Sequence, residues 1–386
     1  MKYRLAYLSL GEIASYSPNA DERQIPRALA RDFELTFFNP RALACPPEIV
    51  SAASVVPVPC SAAGGIVTRL GRVRYVWEVW KHLRRCPVDA FCSSHGMANY
   101  GVGLVLSCLV PGKWIVFCWD PPALTFRNRK GLFARGVVSF THSFLRFCIR
   151  RCHRFVLYIH PDLLRAMQVD EVTIKSKVLM LPNGVDGAYL EEIGGRSSPD
   201  ACRVGVVSVA SSVKGFEYVI GAFVKAASMD SRLKLSWIGE YTEASKAYAA
   251  ECARAANVAP ERITFTGVLE YGAAMKAAAE CGICVFAYQD IPNFRWNYVL
   301  KVGEYMALGR CTVAVDLPGV REYVRHDETG VLVRPGDVGE LADTLVKLAA
   351  DPEKQACLGR AAQSFIRGYR WDDIARRMTA AIGSTL

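Results

Sequence analysis

No long apolar run occurs in the sequence. Its most lipid-like stretch, 100–109, is followed by Pro111 and Lys113, and a bilayer span needs about twenty predominantly apolar residues. A leader is not expected either, because the opening MKYRLAYLSL is a short, broken apolar run that reads as a first strand. Internal repeats and low-complexity tracts are absent. Only Gly11 stands just beyond that first strand, so the Gly-x-Gly-x-x-Gly signature is missing and a dinucleotide-dependent oxidoreductase is a poor reading. Histidine is scarce, at six, and His142, His153 and His160 lack metal-ligand spacing. Cys148, Cys152 and His153 have no matching fourth ligand. Cys281 and Cys284 run into an apolar strand and read as core rather than zinc or redox groups. The 14 cysteines would suit a disulfide scaffold only in a much shorter secreted chain. Cys108, Cys118 and Cys311 lie in apolar runs and are expected to be buried thiols in a reducing cytosol.

Acids are also scarce in one region. Residues 51–160 hold 15 Lys and Arg against Glu78, Asp89 and Asp120, within a net charge of +10, while the rest is near balance. Such a half can face anionic lipid, nucleic acid or an acidic substrate. The densest cluster, 144–155, mixes Arg with apolar residues at helical spacing. It reads equally as an interfacial helix or as a half-buried helix with a solvated basic stripe.

A chain of 386 residues exceeds one ordinary core, so two domains are expected. Strand-like segments at 3–10, 33–38, 90–92, 114–119, 154–159 and 177–181 alternate with helical ones at 24–31, 73–83 and 99–109. Trp77 and Trp80 are placed on the apolar side of 73–83. The second half alternates more cleanly, with strands at 203–209, 233–238, 263–266, 283–287, 312–316 and 331–333. Helices are expected between them, including 300–308 and a short one at 319–324. This pattern predicts α/β architecture with parallel sheets covered on both faces. The polar segment 191–199 is the expected linker. The expected domains are 1–190 and 191–368, with 369–386 a closing amphipathic helix that packs back on the first. A cleft between two such domains is the default ligand site.

Lys214-Gly215 opens the first helix of the second half, where a lysine and a helix amino end suit a phosphate, although Lys-Gly before a helix is common. Asn297 is read as a cap for the helix holding Lys301 and Glu304, and the amides of Val299 and Leu300 are candidates for a diphosphate. Lys301 and Glu304, three apart, can simply pair. Alternatively Glu304, flanked by apolar residues, points into a site and holds two ribose hydroxyls. Glu322 follows Leu317-Pro318-Gly319 and is either a ligand contact or a first-turn helix acid. Asn183-Gly184 reads as a turn. His95 and Asp120 each lie just past a strand end, where ligands of parallel sheets sit.

With these residues assembled, the chain resembles glycosyltransferase family 4, the retaining group of GT-B fold, most strongly over 178–369. The carriers are LPNGVD (181–186), KG (214–215), ITFTG (263–267), KVGEYMALG (301–309) and DLPGVRE (316–322). The resemblance implies two Rossmann-like domains whose parallel sheets face a central cleft. It implies that Lys214 meets the donor diphosphate with Gly215 beside it, and that Glu304 holds the ribose. Gly267 and Val268 would lie near the base, with Val299 and Leu300 giving backbone contacts. Domain closure would bring an acceptor hydroxyl to the anomeric carbon. The implied donor is a UDP- or GDP-sugar and the acceptor a lipid-linked or polysaccharide glycan. No cofactor or metal is obligatory. The expected location is cytoplasmic, peripheral to an anionic inner membrane surface through the basic first half. Nucleic acid would rest on charge alone.

Three departures stand out. Trp296 occupies the place of the first of two glutamates eight apart. Val209 stands near an expected arginine, whose charge the neighbouring Arg295 would have to replace. Trp119-Asp120 stands where a His-Asp or His-Gly is expected after the central strand. They keep open a second reading, a catalytically degenerate GT-B protein serving as a nucleotide-binding or scaffold module.

Overall fold

The computed structural model describes residues 2–11, 21–41, 43–63, 66–119 and 132–386. The chain divides into two compact units, one made of Met1–Gly184 with Trp371–Leu386, the other of Val185–Arg370.

The first unit is built on seven parallel strands, β1 (Arg4–Leu8), β2 (Glu34–Pro40), β3 (Ser54–Val58), β4 (Ala90–Ser93), β5 (Lys113–Cys118), β6 (Arg154–Leu157) and β7 (Val178–Met180). Their order is β3-β2-β1-β4-β5-β6-β7. β4 is therefore central, and every one of its residues is buried. Helices α1 (Asp21–Asp32), α2 (Arg69–Arg85), α3 (Met97–Leu109) and α4 (Leu132–Arg151) connect them. Because such crossovers are right-handed, α2, α3 and α4 share one side of the sheet, and α2 packs on α3 and α3 on α4.

The second unit repeats the plan with six parallel strands, β8 (Asp200–Val207), β9 (Lys234–Ile238), β10 (Ile263–Phe265), β11 (Cys281–Phe286), β12 (Cys311–Val315) and β13 (Val331–Val333). The order is β10-β9-β8-β11-β12-β13, with Val204 opposite Ile283. Helices α5 (Gly187–Arg196), α6 (Phe216–Met229), α7 (Glu243–Ala255), α8 (Tyr271–Ala279), α9 (Leu300–Ala307), α10 (Val338–Ala349) and α11 (Pro352–Ile366) cover it. β11 and β12 are buried throughout, as strands covered on both faces must be.

The last helix, α12 (Trp371–Gly383), belongs to the first unit. Its buried Trp371, Ile374, Ala375, Met378 and Ile382 join Ile25 and Leu29 of α1 in one apolar cluster. Polar ties secure it. The Tyr158 hydroxyl lies 3.2 Å from Met378 Sδ, and Arg154 Nε donates to Thr385 Oγ1 at 2.9 Å. Gly184 lies so close to Trp371 that a Cβ there would come within 2.5 Å of the indole. The Asn183-Gly184 turn thus has a packing reason for its glycine.

Several expectations are corrected. The segment 191–199, read as a linker, is helical as far as Arg196, since Leu190, Ile193 and Gly194 give α5 a buried face. The short helix expected at 319–324 is a succession of turns. Trp77 faces solvent, because the buried stripe of α2 is Gly71, Tyr75, Val79 and Leu83. Cys108 is exposed, whereas Cys118 and Cys311 are buried, and the cysteines are free thiols. In the 144–155 cluster, Leu145, Cys148, Ile149 and Cys152 are buried against the sheet and Phe147 is exposed. Among the described residues no helix is long and apolar enough to cross a membrane.

Candidate functional site

In the second unit the strand order reverses between β8 and β11, so a crevice opens at the carboxyl ends of these strands. After β8 the chain makes one turn of 3-10 helix, Ser212–Lys214, and enters α6 through Gly215 at φ +80°. A Cβ at Gly215 would sit 1.8 Å from the Ala287 carbonyl oxygen, so only glycine lets this turn press against the end of β11. The Gln289 amide donates back to the Val213 carbonyl at 3.1 Å. Lys214 is thereby held at the crevice, its Nζ 5.6 Å from the ring centroid of Tyr288. Tyr288 itself packs on Phe286 and Phe294. Among the described residues Lys214 makes no ion pair, so its charge is available to an anion.

Helix α9 starts at the same end of the sheet. Its amino cap is Val299, which supplies no side-chain cap. Asn297 is therefore not the capping residue expected; its Oδ1 is buried and has no partner. Gly319 explains why the preceding turn is fixed: a Cβ there would lie 2.1 Å from the Asn297 carbonyl oxygen, and the Gly319 amide donates to Arg295. The amides of Val299 and Leu300 give no hydrogen bond among the described residues. One turn further, Tyr305 accepts the Val207 amide on its hydroxyl at 2.8 Å. That bond pins α9 to the end of β8, the strand that leads into the Lys214 turn.

Glu304 is 1% exposed. Its Oε2 accepts from Lys301 Nζ at 2.7 Å, while Oε1 is buried without a hydrogen-bond partner. The two side chains therefore form an ion pair along one helix face, and the carboxylate is turned inward. A buried acceptor left unmade costs about 1–3 kcal/mol, more when charged. A ligand hydroxyl reaching Oε1 would recover that cost. Lys301 Nζ also lies 5.9 Å from the Tyr271 ring.

The other crevice wall carries two glycines, Gly239 after β9 at φ +141° and Gly267 after β10 at φ +74°, and the two bridge each other. Val268 is 77% exposed, an unusual state for valine. Tyr241 packs on Phe265 with centroids 5.1 Å apart and borders Gly267. Gly239, Tyr241 and Tyr288 were not among the residues expected at the site. A glycine directly after each of two strands, Ile238-Gly239 and Thr266-Gly267, was the available signal for the first. Glu322 lies in a turn, and Tyr369 donates to its backbone oxygen and to Oε1, each at 3.3 Å. Arg295 forms a bidentate pair with Asp290, Nε–Oδ1 2.7 Å and Nη2–Oδ2 2.5 Å. Its charge is already matched, which counts against its replacing the arginine absent at Val209.

In the first unit the order reverses between β1 and β4. Since β4 is central, His95-Gly96 follows the central strand. This corrects the assignment of that position to Trp119-Asp120, which follow β5. Asn99 ties the two loops together: its Oδ1 accepts the Leu10 amide at 3.1 Å and its Nδ2 donates to the His95 carbonyl at 2.6 Å. Burial pushes the His95 imidazole pKa down to about 4, so the ring is neutral near pH 7. The Tyr100 hydroxyl gives its proton to the Phe117 carbonyl at 3.1 Å and can only accept from His95 Nδ1, 3.3 Å away. That assigns the proton to Nδ1 and leaves Nε2 as an acceptor. Trp119 stacks near the ring, centroids 5.2 Å apart, and donates to Glu22 Oε1 at 2.9 Å. Asp120 lies outside the described residues. Among the described residues, no three His, Cys, Asp or Glu side chains group to hold a metal ion.

Two doubly wound parallel sheets of this order give an α/β fold of GT-B type. The comparisons agree. A family model described as Glycosyl transferases group 1 matches residues 199–351, within the second unit. The phosphatidyl-myo-inositol mannosyltransferase of Mycobacterium leprae is 34% identical over 118 residues, 31% of this chain and 30% of that protein. The chain thus spans less than a third of the length of the curated relatives it matches. Among solved structures, sucrose-phosphate synthase from Thermosynechococcus elongatus aligns over 99% of both chains with a TM-score of 0.73 at 16% identity. Anabaena HepE in complex with UDP aligns over 100% of both, with a TM-score of 0.70 at 15% identity.

Proposed function

We propose that this protein is a retaining glycosyltransferase that moves a sugar from a UDP- or GDP-sugar to a lipid-linked or polysaccharide acceptor. The observation that carries the reading is Glu304: a carboxylate almost wholly buried, with one oxygen held by Lys301 and the other waiting for a donor. It sits one turn inside a helix whose first amides are free, joined through Tyr305 to the strand that precedes Lys214. A ribose with an adjoining diphosphate supplies what these groups lack, hydroxyl donors for Glu304 and an anion for Lys214. The match of residues 199–351 to a glycosyltransferase model and the UDP in HepE support a nucleotide-sugar. The name of the mycobacterial mannosyltransferase supports a lipid-linked acceptor.

In this reading Lys214 and the amides of Val299 and Leu300 hold the diphosphate, Gly215 gives it room, and Gly267 and Val268 border the base. Asn297 and Glu322 line the donor side. The bond from the anomeric carbon to the diphosphate oxygen breaks, and a bond to the acceptor oxygen forms on the same face. The acceptor proton passes to the departing phosphate oxygen. Negative charge grows on the diphosphate, where fixed donors and Lys214 stabilise it. His95 Nε2 receives a hydrogen bond from a sugar or acceptor hydroxyl.

The test is a panel of nucleotide-sugars scored by mass spectrometry for nucleotide release, run beside Glu304→Gln. The variant should bind nucleotide about 10–150-fold more weakly, the loss of charge-assisted bonds worth about 1.5–3 kcal/mol. Nucleotide binding without release from any donor would select the scaffold reading, which Trp296 and Val209 favour. No nucleotide binding at all would remove both.

A further inference from the structure

The second unit holds a cavity of about 270 Å³ at the amino ends of β8, β11 and β12, the end of the sheet opposite the donor crevice. Small residues make its floor, Ala201, Gly282 and Gly309, and α11 forms one wall with Ala356 and Arg360. Gly359 sets that wall. A Cβ there would lie 2.2 Å from the Gly309 carbonyl oxygen, so α11 presses on the turn before β12. Two cations line the cavity, Arg310 and Arg360, and among the described residues no acid does. Arg310 is 7% exposed. A guanidinium has five N–H donors. Here Nη2 donates to the Gly194 carbonyl at 2.5 Å, while Nε is buried without a partner. Among the described residues neither Arg310 nor the exposed Arg360 makes an ion pair. Asp200, next to Ala201, is engaged elsewhere, 3.8 Å from both Arg203 and Lys234. Burial lowers the Arg310 pKa, yet an arginine stays charged near pH 7. A buried charge without a counter-charge is costly. The contrast is a larger cavity, about 540 Å³, beside the edge strand β13. Its charges cancel, Lys354 pairing with Asp327 and Arg334 with Glu340, each at 3.0 Å.

We infer that the cavity between Arg310 and Arg360 is a second anion site, which takes a phosphate dianion, either free or as the head of a small phosphomonoester. Charge and shape select this ligand. Two guanidinium forks balance the two charges of a phosphate and meet its oxygens in pairs, whereas a carboxylate supplies one charge. Size excludes a nucleotide, since ligand pockets commonly run from about 300 to 1,000 Å³ and this one falls below that range. The site shares no residue with the donor crevice and goes beyond the proposed function. It is nevertheless joined to it. The Arg310 amide donates to the Tyr305 carbonyl at 3.1 Å, and the Tyr305 hydroxyl holds the Val207 amide. An anion on Arg310 thus bears on α9, the helix that carries Glu304, from its carboxyl end.

The experiment is titration calorimetry of the full chain with inorganic phosphate and with glycerol 3-phosphate, at an ionic strength fixed by sodium chloride. Lys214→Ala is titrated beside the wild type, because Lys214 offers phosphate a place in the crevice. Saturable binding is expected in both proteins. It should weaken at least about tenfold in Arg360→Ala, through loss of charge-assisted bonds. Ala356→Glu, which sets a carboxylate one turn before Arg360, should weaken it as much. Both positions are exposed, so these variants should melt with the wild type. Arg310 is left in place because it also ties α5 through Gly194. Tighter binding of glycerol 3-phosphate would identify a phosphomonoester as the ligand, and equal binding the free ion. No binding of either anion by Lys214→Ala would overturn the inference, as would unchanged affinity in Arg360→Ala and Ala356→Glu. Neither donor nor acceptor is present, so failure of this site and failure of sugar transfer are read separately.

Discussion

His95 is partly buried, and the water it loses to the protein around it keeps the ring neutral, which has a sign for stability. Its pKa is about 4 in the fold against about 6.5 in an unfolded chain. Between those values the unfolded state binds more protons, so stability falls as pH drops through the window and is flat above it, at up to about 1.4 kcal/mol per pH unit. Melting temperatures from pH 7.5 to 4.5 should fall less steeply in His95→Asn than in the wild type. His82 and His153, also lowered by burial, titrate in both proteins and cancel. A wild-type slope no steeper than the variant's would contradict the buried, neutral assignment. The burial of Glu304 was legible because a polar residue flanked by Val302, Gly303, Tyr305 and Met306 has few places to point. Asn297 was misjudged because a cap needs one particular backbone geometry, and the tight Gly319 contact places the helix start two residues later. Tyr288 was invisible, since its contact with Lys214 joins two strand ends that only the sheet order makes adjacent.

Among elements, α12 shows what a short amphipathic segment can do. Trp371, Ile374, Met378 and Ile382 are buried with α1, and each large apolar side chain is worth about 1.5–3 kcal/mol when removed from water. Four of them approach the whole stability of an ordinary domain, about 5–15 kcal/mol. A chain ending at Arg370 should therefore leave its first unit unable to fold, read as loss of one of two melting transitions with the other retained. Survival of both transitions would show the helix to be an ornament. The strands of the second unit were legible because each is a short apolar run between turn residues. α5 was not, since Glu191, Glu192 and Arg196 dominate its sequence and two of its four buried residues, Gly187 and Gly194, are glycines. Trp77 was misplaced for the opposite reason: apolar periodicity says which face is apolar, and α2 has a second, exposed one at Leu70, Val73 and Trp77.

For the whole molecule, the contiguity of Val185–Arg370 is the decisive fact. Its ends meet, with the Val185 amide bonded to the Tyr369 carbonyl at 2.9 Å and a bridge from Val185 to Arg370. Expressed alone, residues 185–370 should melt cooperatively and bind UDP or GDP in calorimetry. A fragment that is molten, or folded but blind to nucleotide, would break that expectation. Length and the alternation of strands and helices announced two parallel-sheet domains; the return of the last residues to the first, expected from the layout of folds of this sort, is a matter of connectivity that alternation itself does not encode.

That return also orders the chain's biogenesis. The ribosome releases the second unit's last strand before it has made Trp371, so the unit begun first is finished last. Until the closing helix emerges, Leu29, Ile25 and the indole-shaped gap above Gly184 stand open to solvent. A circular permutant that begins at Trp371 would present the closing helix first and remove the delay.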